Sequence, residues 1–355
     1  MGLGCAYQLA KRGKRVCVIE QSSGGVNLNG ASHGESRIIR LAHSDAAYVP
    51  LAIESYKLWR ALEHEAGLQL YDRELAERAN ILARFNAPHE VLDNRQIKER
   101  YDHLDYDERW FGLLDHTAGT IYARRCMEAL RAVNEKLGVH FRWGIKVNDW
   151  RAFDDRVVVS AGFYAFNARS VVFAVGGWLE KFAKGRLSVR VQPVAVPVFY
   201  WNIKPQATGC FETKRKSPNL IISDVWRNEE LFMIPNADFE GKVKFGVHMG
   251  EDFEIDGLRP TQLVAINRDI TSRHLRQHLP TVDHRVPKHL DRSFIIDRHP
   301  DHPNVVLASG FSGTGFKFAP AVGAIVADLL DGRRPRFDVR NFAVTREIDL
   351  ARAKL

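Results

Sequence analysis

The sequence predicts an α/β fold of mixed α+β character: a parallel, dinucleotide-binding type of unit that lacks its first strand, joined to a domain of short antiparallel strands. Three observations predict it. Residues 3–20 run helix, strand, acid, which is the order of the first half of a dinucleotide-binding unit. A buried apolar run at 170–175 ends in Gly176-Gly177-Trp178, and a second at 305–309 passes through a glycine-rich turn into a helix. Between them, residues 190–250 read as short strands in alternation. With 355 residues, 45% hydrophobic and 26% charged, the chain is globular and long enough for two domains that share one ligand.

In order along the chain, residues 3–12 place Leu3, Ala6, Leu9 and Ala10 on one helical face, and Gly13 follows where a left-handed cap is wanted. The strand Val16-Cys17-Val18-Ile19 ends at Glu20. In a dinucleotide unit that carboxylate takes the ribose hydroxyls, and an ordinary strand-end acid fits the segment equally. The fingerprint G-x-G-x-x-G belongs between a first strand and this helix. No strand precedes Met1, and only Gly2 stands, in the position of the third glycine. The sequence therefore predicts a sheet without its central strand, with strand edges and apolar surface uncovered. Residues 51–66, through Leu51, Leu58, Trp59, Leu62 and Ala66, and 122–137, through Cys126, Leu130, Val133 and Leu137, are amphipathic helices read as core stripes. Alternating strands are expected at 139–147 and 156–159. The run into Gly176 suggests backbone passing close to a ligand. The last helix carries Val322, Ile325, Val326 and Leu329.

Charge and cysteine usage narrow the function classes. The net charge of +8, from 51 basic and 43 acidic residues, is spread along the chain; it forms no nucleic-acid arm and suits an anionic substrate or cofactor. Cys5, Cys17, Cys126 and Cys210 lie far apart, with no C-x-x-C pair, which suggests neither a zinc site nor a disulfide framework and fits a reducing compartment. No metal site is expected. No run of about 18 apolar residues exists, no signal peptide opens the chain, and Ala6 breaks a myristoylation motif at Gly2. Ala353-Lys354-Leu355 has the small-basic-leucine pattern of a peroxisomal address, read by an import receptor.

Two constellations carry chemistry. Gly310-Phe311-Ser312-Gly313-Thr314-Gly315-Phe316-Lys317 is a glycine-rich turn between a strand and a helix, where free backbone N–H groups stabilise negative charge. Close helix-on-sheet packing explains those glycines too, but not Lys317. Ser32-His33-Gly34-Glu35-Ser36-Arg37-Ile38-Ile39-Arg40 places two arginines three apart beside a His-Gly turn; together they would bind a carboxylate, and composition alone also allows a solvated surface.

Residues Gly30 to Arg40, the phrase Phe294-Ile295-Ile296-Asp297-Arg298-His299-Pro300 and the turn Gly310 to Lys317 stand in the order and spacing of one family. Over nearly its whole length the chain resembles the sarcosine oxidase and pipecolate oxidase family, FAD-dependent amine oxidases related to D-amino acid oxidase. The resemblance implies a discontinuous FAD-binding domain (1–50, 120–185 and 288–345), a substrate domain (51–119 and 186–287) and a C-terminal tail (346–355). It implies a monomer that oxidises the C–N bond of a secondary amino acid such as sarcosine or L-pipecolate in a peroxisome, giving an imine and hydrogen peroxide. By the same resemblance Arg40 and Lys317 pair with the substrate carboxylate, Lys244 activates oxygen and His248 stands at the matching histidine. A strand-edge charge is the plain alternative for Lys244. The flavin contacts implied are Gly2, Glu20, Ser32, His33, Arg37, Arg40, Gly176, Gly310, Ser312, Gly313, Gly315 and Lys317.

The chain also departs from the family. Residues 284–291 contain no cysteine, which excludes covalent flavin at that position and predicts noncovalent FAD. A glycine-bearing strand is absent before Glu74, Thr314 replaces a common histidine, and Phe232 stands where sarcosine oxidases carry a tyrosine. A fructosyl amino acid oxidase shares the lysine-bearing turn and is the alternative enzyme. A flavin-free, catalytically silent variant is the alternative from another class.

Overall fold

The computed structural model describes residues 1–24, 27, 30–41, 48–71, 89–183, 191–212, 217–256, 262–283, 293–299, 302–311, 315–335, 337 and 339. The helix Gly2–Lys11 forms as expected, with Ala6 of the expected face buried and the burial extended to neighbouring residues. Gly4, Cys5, Ala6 and Tyr7 are buried, whereas Leu3, Leu9 and Ala10 are only partly so. The physical reason is clamping from two sides: Ala319–Leu330 and Ala123–Lys136 both pack on this helix, and Asn134 Nδ2 donates to Leu3 O at 3.0 Å. Gly4 and Gly323 sit at the crossing with Ala319–Leu330. A Cβ on Gly323 would lie 2.2 Å from Gly4 O, so backbone meets backbone there. Tyr48–Ala66 joins this layer, and Tyr7, Trp59, Leu62, Cys126, Val322 and Val326 make one core.

The parallel part of the fold is divided. Cys17–Glu20 pairs in parallel with His140–Trp143, and Val171–Phe173 pairs in parallel with Val305, Val306 and Leu307 of the strand His302–Phe311. Among the described residues these remain two separate sheets. Among the described residues the outer edges of Cys17–Glu20 and Val171–Phe173 carry no paired strand. The strand expected at 139–147 is shorter: Gly144 turns at φ +72, and Ile145 N donates to Glu20 O at 3.1 Å. Residues 149–168 form a three-stranded meander.

The antiparallel expectation is met by a five-stranded sheet in the order Leu220–Asp224, Glu229–Ile234, Lys242–Val247, Val198–Ile203, Val282–Asp283. Its two faces differ in chemistry because side chains alternate along a strand. Phe199, Trp201, Val243, Phe245 and Val247 enter a core under the helix Gln262–His278. Tyr200 and Lys244, direct cross-strand partners, take the other face.

Candidate functional site

A cavity of about 2480 Å³ runs between the two parallel half-sheets and that second face. It gathers Gly2, Glu20, Ser32, His33, Arg37, Arg40, Gly176, Lys244, His248, Gly315 and Lys317, residues that the sequence scatters over more than 300 positions. Gly310 lies in the strand His302–Phe311. Ser312, Gly313 and Thr314 fall outside the described residues, as does the C-terminal tripeptide.

At one end the helix Gly2–Lys11 points its N-terminus at the cavity, where free N–H groups favour an anion. Glu20 closes its strand at the wall; its Oε1 accepts from Ser22 N at 2.9 Å and Asn27 Nδ2 at 3.4 Å. Gly176 holds φ +55, and a Cβ there would meet nothing within 4 Å. These features fit the adenosine and pyrophosphate part of a dinucleotide: an acid for the ribose, an N-terminus for phosphate and open backbone beside it.

The turn at 30–37 is organised by Arg37 itself. Its guanidinium donates to Ser36 O at 2.7 Å, to His33 O at 2.7 Å and to Ala31 O at 3.1 Å. His33 Nδ1 contacts Gly30 O. Gly34 stands at φ +94, and a Cβ would come 3.3 Å from Arg37 Nη1, so the glycine serves the arginine. Much of Arg37's hydrogen bonding is thus spent on its own loop, while Arg40 sits half-buried at the wall. Desolvation draws the Arg40 pKa down, and Asp115 and Glu230 oppose that.

Lys317 is buried in the short helix Gly315–Phe318 that leads into Ala319–Leu330. Trp59 Nε1 donates to Lys317 O at 2.6 Å and stacks on Phe316 with centroids 6.0 Å apart. Lys317 Nζ lies 5.0 Å from the Phe318 ring centroid. Across the cavity Lys244 donates to Ser36 O at 2.9 Å, and Asp238 Oδ2 lies 3.2 Å from its Nζ. Burial draws the Lys244 pKa down to about 8, chiefly by desolvation, with Asp238 opposing. His248 donates its backbone N–H to Glu230 O at 2.6 Å and sets its ring against Phe232, centroids 4.9 Å apart. Phe232 crosses Gly246, where a Cβ would fall 2.8 Å from Phe232 Cζ.

Sequence alone points neither to Asp238 nor to Tyr200 at this site, and Gly246 carries only a weak signal; Trp59 lies in the core as its stripe predicts and in addition donates to Lys317 O. The alternation of Lys244, Gly246 and His248 against Val243, Phe245 and Val247 was the one signal available for Gly246. Among the described residues no cluster of His, Cys, Asp or Glu could hold a metal ion, and no described helix is long and apolar enough to cross a membrane.

A cavity with an acid-ended parallel strand and a helix N-terminus at one end and lysines at the other suits a dinucleotide cofactor beside an anionic substrate. Comparison with known proteins agrees. The family profile described as FAD dependent oxidoreductase matches residues 1–329. The human peroxisomal sarcosine oxidase is 30% identical, the match covering 99% of this chain and 95% of that protein. The monomeric sarcosine oxidase of Bacillus sp. (strain B-0618) is 25% identical, covering 98% and 93%. Among solved structures, NikD, an unusual amino acid oxidase essential for nikkomycin biosynthesis, superposes with a TM-score of 0.77 at 21% identity, covering 98% of this chain and 95% of that one.

Proposed function

The chain belongs to the FAD dependent oxidoreductase family, and we propose that within it this protein oxidises a secondary amino acid, sarcosine, L-pipecolate or a close relative, using noncovalent FAD and O2. The observation that carries the reading is the arrival of Arg40, Lys244 and Lys317, from three distant segments, at one cavity with Glu20 and Gly176. Sarcosine oxidase relatives spanning nearly the whole chain support it.

FAD, when bound, would supply the two-electron oxidising power for converting the amino acid to an imine, with O2 as the final acceptor giving hydrogen peroxide. The protein's own residues do the rest. Glu20, Gly2 and Gly176 seat the nucleotide, with Ser32, His33 and Gly315 along the remaining wall. Arg40 and Lys317 hold the substrate carboxylate, fixing which carbon faces the flavin; positioning of this kind supplies most of what such a site offers. Lys244 places a buried positive charge where charge develops on oxygen, and His248 stands at the same wall. We assign residues 1–50, 120–185 and 288–345 to the flavin-binding part, on whose core the helix Tyr48–Ala66 also packs, and the rest of 51–119 with 186–287 to the substrate part. Import through Ala353-Lys354-Leu355 would place peroxide release in a peroxisome.

The test is the visible spectrum of the purified chain after reconstitution with FAD, before and after anaerobic addition of sarcosine or L-pipecolate, followed by peroxide assay. Flavin absorbance that bleaches with substrate and is freed by acid precipitation is expected. A chain that stays colourless with added FAD, or flavin that no secondary amino acid bleaches, overturns the reading.

A further inference from the structure

One buried carboxylate stands behind the cavity wall with no role in the mechanism above. Asp238 belongs to the loop between Glu229–Ile234 and Lys242–Val247, and its side chain is 2% exposed. The loop is fixed by Gly241 N donating to Asn236 Oδ1 at 2.8 Å and Lys242 N donating to Phe239 O at 3.1 Å. Tyr200 OH donates to Asp238 Oδ2 at 2.6 Å. The Phe239 ring packs edge-on against Tyr200, centroids 4.9 Å apart. The same Oδ2 lies 3.2 Å from Lys244 Nζ, and Tyr200 is Lys244's direct cross-strand partner.

An ammonium has three N–H donors. Ser36 O and Asp238 Oδ2 engage two of them, and Ser36 Oγ, at 3.5 Å, engages the third only weakly. Lys244 is therefore held from behind with one donor left for the cavity that it lines. Its charge also needs a partner. Desolvation and the neighbouring Arg37 both disfavour the ammonium, whereas Asp238 and, more distantly, Glu35 favour it. A buried cation deprived of its one close carboxylate gives up its proton.

We propose that Asp238, seated by the Tyr200 hydroxyl, is a positioning residue that keeps the Lys244 ammonium charged and fixed at the cavity wall. The inference deepens the oxidase reading of Lys244 and rests on it only for its catalytic consequence. It commits the oxygen step to a pH limb that Asp238 sets: reoxidation falls as pH rises through the Lys244 pKa, and loss of Asp238 brings that fall to lower pH.

The test uses the 355-residue chain with and without FAD. Lys244 protonation is followed by competitive acetylation across pH, read at that residue by mass spectrometry, and reoxidation of the reduced flavin by O2 is followed over the same range. In Asp238→Asn both midpoints are expected to move down by about one unit or more, a roughly tenfold loss of proton affinity. Tyr200→Phe moves them the same way by less, and serves alone if Asp238→Asn does not fold. A labelling midpoint that stays at the parent value in a folded variant overturns the proposal. A shifted labelling midpoint in a chain that never reacts with oxygen keeps the Asp238 assignment and overturns the oxidase reading instead.

Discussion

Gly323→Ala isolates the contact on which the cavity's frame depends. The added Cβ would lie 2.2 Å from Gly4 O and 2.5 Å from Gly4 C, and a Cβ on Gly4 would reciprocally fall 2.4 Å from Ala319 O. Carbon contacts are comfortable only near 3.5 Å or beyond, so the helices Gly2–Lys11 and Ala319–Leu330 must part by roughly 1 Å. No side-chain rotation can relieve a clash with backbone. Overpacking of this kind costs up to about 3 kcal/mol, against about 1 kcal/mol gained by alanine over glycine in a helix, leaving a net loss of about 2 kcal/mol. Unfolding entropy of about 2.1 cal/mol/K per residue over 355 residues converts this to about 3 °C in the melting midpoint. Flavin affinity falls as well, because one helix presents Gly2 to the cavity and the other continues directly from Lys317. Calorimetry and fluorescence titration with FAD read the two effects. Gly209→Ala, where a Cβ meets nothing within 4 Å, is the control and should leave both unchanged. A Gly323→Ala chain that melts with the parent and binds FAD equally would refute the crossing as the frame.

Lys244→Met is expected to slow reoxidation of the reduced flavin by about 10²–10³, the usual loss when one preorganised electrostatic group is removed; stopped-flow mixing with O2 measures it, and an unchanged rate refutes the assignment. Arg40→Lys keeps the charge but gives up planar bidentate contact, so the substrate KM should rise at least about tenfold, the equivalent of one lost charged hydrogen bond; a KM equal to the parent's removes Arg40 from the carboxylate site. His274 lies under the antiparallel sheet with Nε2 3.0 Å from Tyr106 OH, and burial pushes its pKa down to about 3. The unfolded chain takes that proton near pH 6.5 and the native chain does not, so stability is full above about 6.5 and is lost as pH falls towards 3. Urea midpoints should drop between pH 7 and 5 in the parent and drop less in His274→Gln. Equal drops would show that other groups carry the acid sensitivity.

What the sequence made legible follows from the range over which each feature is encoded. The helix Gly2–Lys11, the strand ending at Glu20 and the strand-turn-helix ending in Ala319–Leu330 announce themselves because periodicity and capping act within a few residues of one another. The same locality defined the buried face of the first helix only in part: of the stripe on the wheel Ala6 is buried and Leu3 packs against the core, Leu3, Ala6 and Leu9 also line the cavity, and the close backbone contact at Gly4 and Gly323 accompanies burial of Cys5 and Tyr7. Arg37 and Arg40 could not be told apart by spacing. Both line the cavity, and only the fold shows that Arg37 ties its loop together through three carbonyls. Asp238 was beyond reach for a stronger reason. It is one of 43 acids, in a turn segment that composition marks as surface, and its importance arises only when strand alternation turns Tyr200 and Lys244 to the face opposite Phe199, Trp201 and Phe245. The motif supplies the cation, but the groups that keep it charged come from whichever strands the sheet places beside it. A site read from motifs alone therefore names the residues that touch ligands and omits those that determine their protonation, and in this protein the omission falls on Asp238 and Tyr200.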